Sequence, residues 1–206
     1  MRWVAIALLL AGCGLTTQVR PTPKGTLVAE LSVGGPAAVV GAPIPLPLSA
    51  LGVAWGVLDR ADLSVHTHLT TLAAARLFGL DVGTSVLALR QSGAVPALTL
   101  GTRLYLFTDF STGTLGFYEA SLAASWDVGR FRPFVAVATQ LDTQALAFDV
   151  APALGTEVRF GRFTLIAELK WYAPNRDVRF SSVPWLSPFG HGAIGLVLGG
   201  RYAVLH

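Results

Sequence analysis

Only one cysteine and one methionine occur among 206 residues, and Asp, Glu, Lys and Arg together make up just 13%. A single cysteine excludes an intrachain disulfide, so the fold must stand without that staple. A formal charge of +3, with no Lys/Arg cluster and no RNA-type aromatic motif, gives no case for a nucleic-acid partner. After Cys13 no run of about 20 apolar residues occurs, which excludes an ordinary membrane helix. The most apolar stretch, 34–58, is interrupted by Pro36, Pro43, Pro45 and Pro47. What the chain does have is grease: 52% of its residues are hydrophobic and mean hydropathy is +0.57. Average soluble chains carry roughly 25% charged residues. A membrane-grade composition without membrane-grade helices leaves the closed β-barrel, in which every backbone group of the wall is paired.

The first residues form a separate unit. Met1-Arg2 precedes a short apolar run from Trp3 to Leu9, followed by Leu10-Ala11-Gly12-Cys13. A basic start, a brief apolar core and small residues make a secretory signal. The last four residues resemble the lipobox of bacterial lipoproteins. That resemblance implies cleavage before Cys13, diacylglycerol on its sulfur and a further acyl chain such as palmitate on the new amino terminus. The other readings are an ordinary signal with an incidental cysteine, or a buried N-terminal element of a cytosolic protein. Gly14 follows the cysteine where an aspartate would retain an enteric lipoprotein at the inner membrane, so the resemblance points to the outer membrane. The expected organisation is a signal over 1–12, a lipidated tether over 13–24 with Pro21 and Pro23, and a barrel domain over 25–206.

From Thr26 onward the period is two. Leu27, Ala29, Leu31 and Val33 share one face, and Val28, Glu30 and Ser32 the other. The pattern returns over 50–57, 62–70, 78–86, 98–106, 118–127, 131–142, 152–160, 163–172 and 194–204. The intervening 34–48 reads as a long Gly/Pro-rich connection whose end already has strand character, and 71–77 as a loop in preference to a helical turn. Gly129-Arg130 and Gly161-Arg162 each sit between apolar residues, as a two-residue type II′ hairpin requires. The fold class is therefore all-β: an antiparallel up-and-down transmembrane barrel of about ten strands, with eight as the alternative.

Alternation does not say which face is outside. A lipid-tethered soluble barrel of lipocalin type, binding an apolar ligand, would put the apolar face inward. Two features favour lipid outside. The polar face is rich in small residues such as Ala50, Gly52, Gly79, Gly83 and Gly199, which suits a crowded lumen. The apolar face carries Trp55, Trp126, Phe131, Phe160, Phe163 and Tyr202 beside the short turns, with Phe78, Tyr118 and Trp171 toward the other rim, as aromatic girdles do. Thr26 to His206 thus resembles bacterial outer-membrane β-barrels as a class. The resemblance implies outer-membrane lipid, the barrel-insertion machinery and the lipoprotein-export machinery as partners, and places the Cys13 lipid on the periplasmic side. The chain departs from the class at Tyr202-Ala203-Val204-Leu205-His206, where such barrels commonly end in an aromatic residue.

The polar face collects Glu30, Asp62, His66, His68, Asp81, Arg103, Tyr105, Glu119, Asp127, Gln140, Glu157, Arg159, Glu168, Lys170 and Arg201. Mixed charges in a narrow lumen imply a pairing network, because an unpaired buried charge costs several kcal/mol, roughly. The expected function is a structural or narrow-pore envelope barrel with no catalysis, no cofactor and no metal. The alternative uses His66 and His68, two apart on one face, with Asp62 further along it, as a general base acting on envelope lipid or peptide. No serine in a partner motif accompanies them, and no third ligand at metal spacing. Pro184-Trp185-Leu186 and Phe189 would fold over the barrel mouth or meet a partner.

Overall fold

The structure, a computed structural model, describes residues 14–111, 113–143 and 146–205. The signal and the lipobox cysteine lie outside the described residues. The two-residue period produces strands wherever it is strongest: β1 (Leu27–Val40), β3 (Leu48–Leu58), β4 (Ala61–His68), β5 (Phe78–Leu89) and β6 (Ala97–Thr108). The series continues with β7 (Thr114–Ser125), β8 (Phe131–Asp142), β9 (Phe148–Phe160), β10 (Phe163–Asp177) and β11 (His191–Leu205). Each pairs antiparallel with its neighbours along the chain, and β11 pairs with β1 from Leu27↔Leu205 to Pro36↔Gly195. That last ladder closes a ten-strand up-and-down barrel and removes its edges. Among the described residues no helix is long and apolar enough to cross a membrane.

Two connections differ from expectation. The segment 34–48 is largely strand: β1 runs on to Val40, and β2 (Ala42–Pro45) folds back on it above the rim. Gly34 and Gly35 face β11 at Val197 and Leu196, and a side chain on Gly195 would run into the Gly35 backbone. These glycines allow close approach of two strands instead of breaking one. Residues 69–75, expected as strand end and loop, form a short helix, α1 (Leu69–Ala75). Its Leu-Thr-Thr-Leu-Ala-Ala-Ala sequence is rich in strong helix formers, and Arg76 ends it in the left-handed region at φ 56°.

The hairpin turns fix the register at one mouth, called lower here. Val128 and Phe131 exchange backbone hydrogen bonds of 2.9 and 3.0 Å, and Phe160 pairs with Phe163. Gly129 (φ 62°) and Gly161 (φ 60°) take the positive φ of each turn while the arginines after them do not, as a type II′ turn needs. The opposite, upper mouth carries α1, β2 and the 178–190 loop. Part of that loop lies along the upper end of β1, where Val39 N–H donates to Pro184 O and Leu186 N–H to Ala37 O, both 2.7 Å. Phe189 remains almost fully exposed.

The pleat then sorts the side chains. Leu31, Leu51, Leu100, Val135, Leu154 and Leu198 point outward and are about half exposed. Their neighbours Ser32, Ala50, Thr99, Phe134 and Val197 are buried inside. Trp55, Phe131, Phe160, Phe163 and Tyr202 form an outward aromatic ring near the lower mouth. The lipocalin-type arrangement is therefore overturned, since the apolar face is the exterior one. A continuous apolar exterior around a closed sheet is a surface for hydrocarbon, far beyond the few hundred Å² a soluble monomer exposes, roughly. The molecule is a transmembrane β-barrel.

Candidate functional site

Strand alternation aims Glu30, His66, His68, Asp81, Arg103 and Arg201 into the lumen from five of the wall strands, and they meet there. The Asp81 carboxylate, fully buried, lies 2.9 Å from His66 Nδ1, 3.0 Å from His68 Nε2 and 2.8 Å from Arg103 Nη1. His66 Nε2 lies 2.7 Å from Glu30, whose other oxygen pairs with Arg201 Nε at 2.7 Å. Arg201–Glu30–His66–Asp81–Arg103 is thus a continuous chain of charge across the barrel, with His68 joined to it. Tyr105 extends the polar wall by donating to Glu119 at 2.9 Å, and Lys170 pairs with Glu168 at 3.2 Å. Pairing is what makes such burial tolerable, because a lone charge here would carry its full desolvation cost.

The lumen is filled by more than its wall. Residues 14–24, expected as part of a tether from lipid to barrel, run down the inside from upper to lower mouth. Gly14 lies against Leu48 at the upper end. Leu15 packs with Ala50, Tyr105, Phe107 and Phe117, and Val19 with Ala123, Phe134 and Ile166. At the lower end Lys24 bridges to Gly56, where a side chain on Gly56 would overlap the Pro23 carbonyl. The segment is extended, so its backbone groups need partners from the wall. Thr17 N–H and Oγ1 donate to Glu168 at 2.6 and 2.8 Å. Thr22 N–H donates to Asp62 at 2.6 Å, and the Gln18 amide donates to the same Asp62 oxygen. Thr99 Oγ1 donates to Val19 O at 2.9 Å and Lys170 to Leu15 O at 3.1 Å. The tether is a plug. A free polar tether would leave Leu15 and Val19 in water and a hollow ten-strand lumen beside them, and both are resolved by inserting it.

The first described residue stands at the end of the barrel opposite to the one expected for the tether, and Cys13 itself lies outside the described residues. The periplasmic placement of Cys13 assumed a tether at the lower, short-turn end. Gly14, its neighbour, stands at the upper mouth instead.

The candidate catalytic trio of His66, His68 and Asp62 does not assemble. Asp62 is buried at the lower end, where it holds Thr22, Gln18 and the backbone and hydroxyl of Ser85 (3.1 and 2.8 Å). His66 and His68 are 3% and 4% exposed, and carboxylates face both nitrogens of the first and Nε2 of the second. The free space beside His66 and Arg103 amounts to about 20 Å³, the room one water takes. Among the described residues no group of three or more His, Cys, Asp or Glu is set to hold a metal ion.

At the lower mouth the arginines gather. Asp127 receives Arg20 at 3.2 Å, Arg132 at 2.9 Å and Arg159 at 3.1 Å, and Arg132 also reaches the buried Glu157 at 2.6 Å. Partial burial pushes the Asp127 carboxyl up. The Arg132 hydrogen bond and the charges of Arg132, Arg20 and Arg159 outweigh that and hold it below its ordinary value. Glu157, Glu168, Lys170 and Arg103 point inward, whereas Asp127 and Arg159 sit at the rim. Sequence reasoning missed Arg132 and the plug residues Thr17, Gln18, Arg20 and Thr22. The available signal was the pair Leu15 and Val19, apolar residues recurring within a polar segment.

No protein-family model and no curated protein matches this chain. Solved structures similar to it include a de novo designed transmembrane β-barrel, with 15% identity over 90% of this chain and 99% of that one, at a TM-score of 0.38. An outer membrane channel from Pseudomonas putida is 9% identical over 91% and 98% of the two chains, at 0.47. The outer membrane protease OmpT from Escherichia coli is 8% identical over 91% and 99%, at 0.40. At such identities the channel and protease activities are those proteins' own.

Proposed function

We propose that this chain is a bacterial outer-membrane barrel of structural or narrow-pore type, closed at rest by its own N-terminal segment. The observation that carries the reading is the plug itself, with its backbone bonded to Glu168 and Asp62 and its apolar side chains seated in the lumen. A wall-paired lumen filled by its plug gives a solute no path while the plug is in place. The barrel's remaining lumen charges are of both signs, so passage without the plug would be narrow and ion-sensitive. In planar bilayers the intact protein should show no steady conductance at low voltage. A variant lacking 14–23 should insert equally and open to discrete ohmic steps. Equal conductance in both proteins would refute closure by the plug, and silence in both would leave a purely structural barrel.

The lipid on Cys13 belongs to the same proposal, on the strength of the lipobox-like residues 10–13. With Gly14 at the upper mouth, the lipid would attach at that end of the molecule. Acyl labelling should vanish in Cys13→Ser while the protein stays in the membrane through an alkaline carbonate wash. Persisting label would remove the lipid from the account, and release by the wash would remove the integral barrel.

A further inference from the structure

The lower mouth holds a cavity that neither closure nor anchoring uses. Its volume is about 240 Å³, and Arg20, Arg132, Arg159, Arg162 and Arg201 line it, with Glu157 among them. One wall is the plug, through residues 20–23. The cationic side is in excess. Asp127 alone serves three of the guanidiniums, Glu157 shares Arg132 with it, and Glu30 balances Arg201. Five guanidiniums thus face four carboxylates, the fourth being Asp62, which lies behind Thr22 and acts on Arg201. Arg162, in the Gly161-Arg162 turn, has no ion pair among the described residues, and Arg20 Nε and Glu157 Oε1 are each buried without a hydrogen-bond partner.

Higher in the lumen the charges pair more closely, with Asp81 held against Arg103, His66 and His68. At the lower mouth one positive charge is left over around an open cavity, and Arg162 has no carboxylate partner among the described residues. Guanidinium forks bind phosphate oxygens in pairs, and several forks converging on one point favour a doubly charged group over a single carboxylate. The volume admits a phosphate or pyrophosphate group but little beyond it, since the lumen above is closed by the plug.

We propose that the lower mouth is a binding site for a phosphate-bearing ligand, held between Arg159 and Arg162 of the wall and Arg20 of the plug. A ligand there would touch plug and wall together and so bear on whether the plug stays. The site itself does not depend on the closure reading, because the cavity and its charges are present whether or not the barrel conducts.

The test is equilibrium dialysis of labelled inorganic phosphate and pyrophosphate against the refolded barrel in zwitterionic detergent at low salt. Saturable binding of about one ligand per barrel is expected, at least tenfold weaker in Arg162→Ala and in Arg159→Ala. Arg162 lies in an exposed turn, so its loss should leave the gel shift between unheated and boiled samples unchanged. Arg159→Lys, which keeps the charge but loses the fork, should recover only part of the affinity. Arg179→Ala, at the upper mouth where Arg179 pairs with Asp177, should bind as wild type. Vesicles containing phosphatidylglycerol that compete with phosphate would assign the ligand to a lipid headgroup, and vesicles that do not would assign it to a free phosphate compound. Absence of saturable binding, or an equal loss in Arg179→Ala, would overturn the site.

Discussion

Asp81 accepts contacts from three cationic or imidazole side chains on β4 and β6 without touching water. The inward direction of such residues is legible in the sequence, because strand parity alone sets it. Their pairing is not legible, since partners such as Glu30 and His66 lie 36 positions apart and meet only once the barrel closes. The same geometry gives His66 and His68 a structural task. Removing one member of a buried pair leaves the rest uncompensated, at a cost of about 3–5 kcal/mol. The double variant His66→Ala/His68→Ala should therefore unfold at distinctly lower urea in lipid vesicles. Lipid A and peptide profiles of cells carrying it, at equal barrel levels, should match wild type. A changed profile with unchanged stability would revive the catalytic alternative.

Elements with a strong two-residue period and a defined turn are readable in advance, as β7 to β10 and the Gly129 and Gly161 hairpins show. Segment 34–48 reads as a break because glycine and proline count as breakers locally, whereas in the barrel the glycines serve strand approach. The plug escaped for a different reason. It has no ladder, so its order comes from side chains dispersed over β4, β6, β8 and β10, which no local pattern contains. The wall's two faces give opposite tolerances to bulk. On β7, Leu122 faces outward and is 42% exposed, while the next residue back, Ser121, lines a free space of about 20 Å³. Leu122→Trp should insert and resist urea as wild type does. Ser121→Trp should overpack the lumen and lose about 1–3 kcal/mol or more in the same titration. Equal tolerance at both positions would contradict a filled lumen.

For the molecule as a whole, the exterior decides the solvent. Outward leucines, valines and the aromatic ring of Trp55, Phe131, Phe160, Phe163 and Tyr202 offer water nothing, and among the described residues the interior holds small apolar clusters around Leu15, Val19 and Leu48. Composition announced this inversion before any strand was placed, because 52% hydrophobic residues without a membrane helix have few other homes. The most direct measurement is folding of the urea-denatured, delipidated chain diluted into plain buffer or into phosphatidylcholine vesicles. In vesicles it should form a protected species that shifts on boiling, and in buffer it should aggregate. A stable, folded monomer in buffer without any amphiphile would contradict the transmembrane barrel.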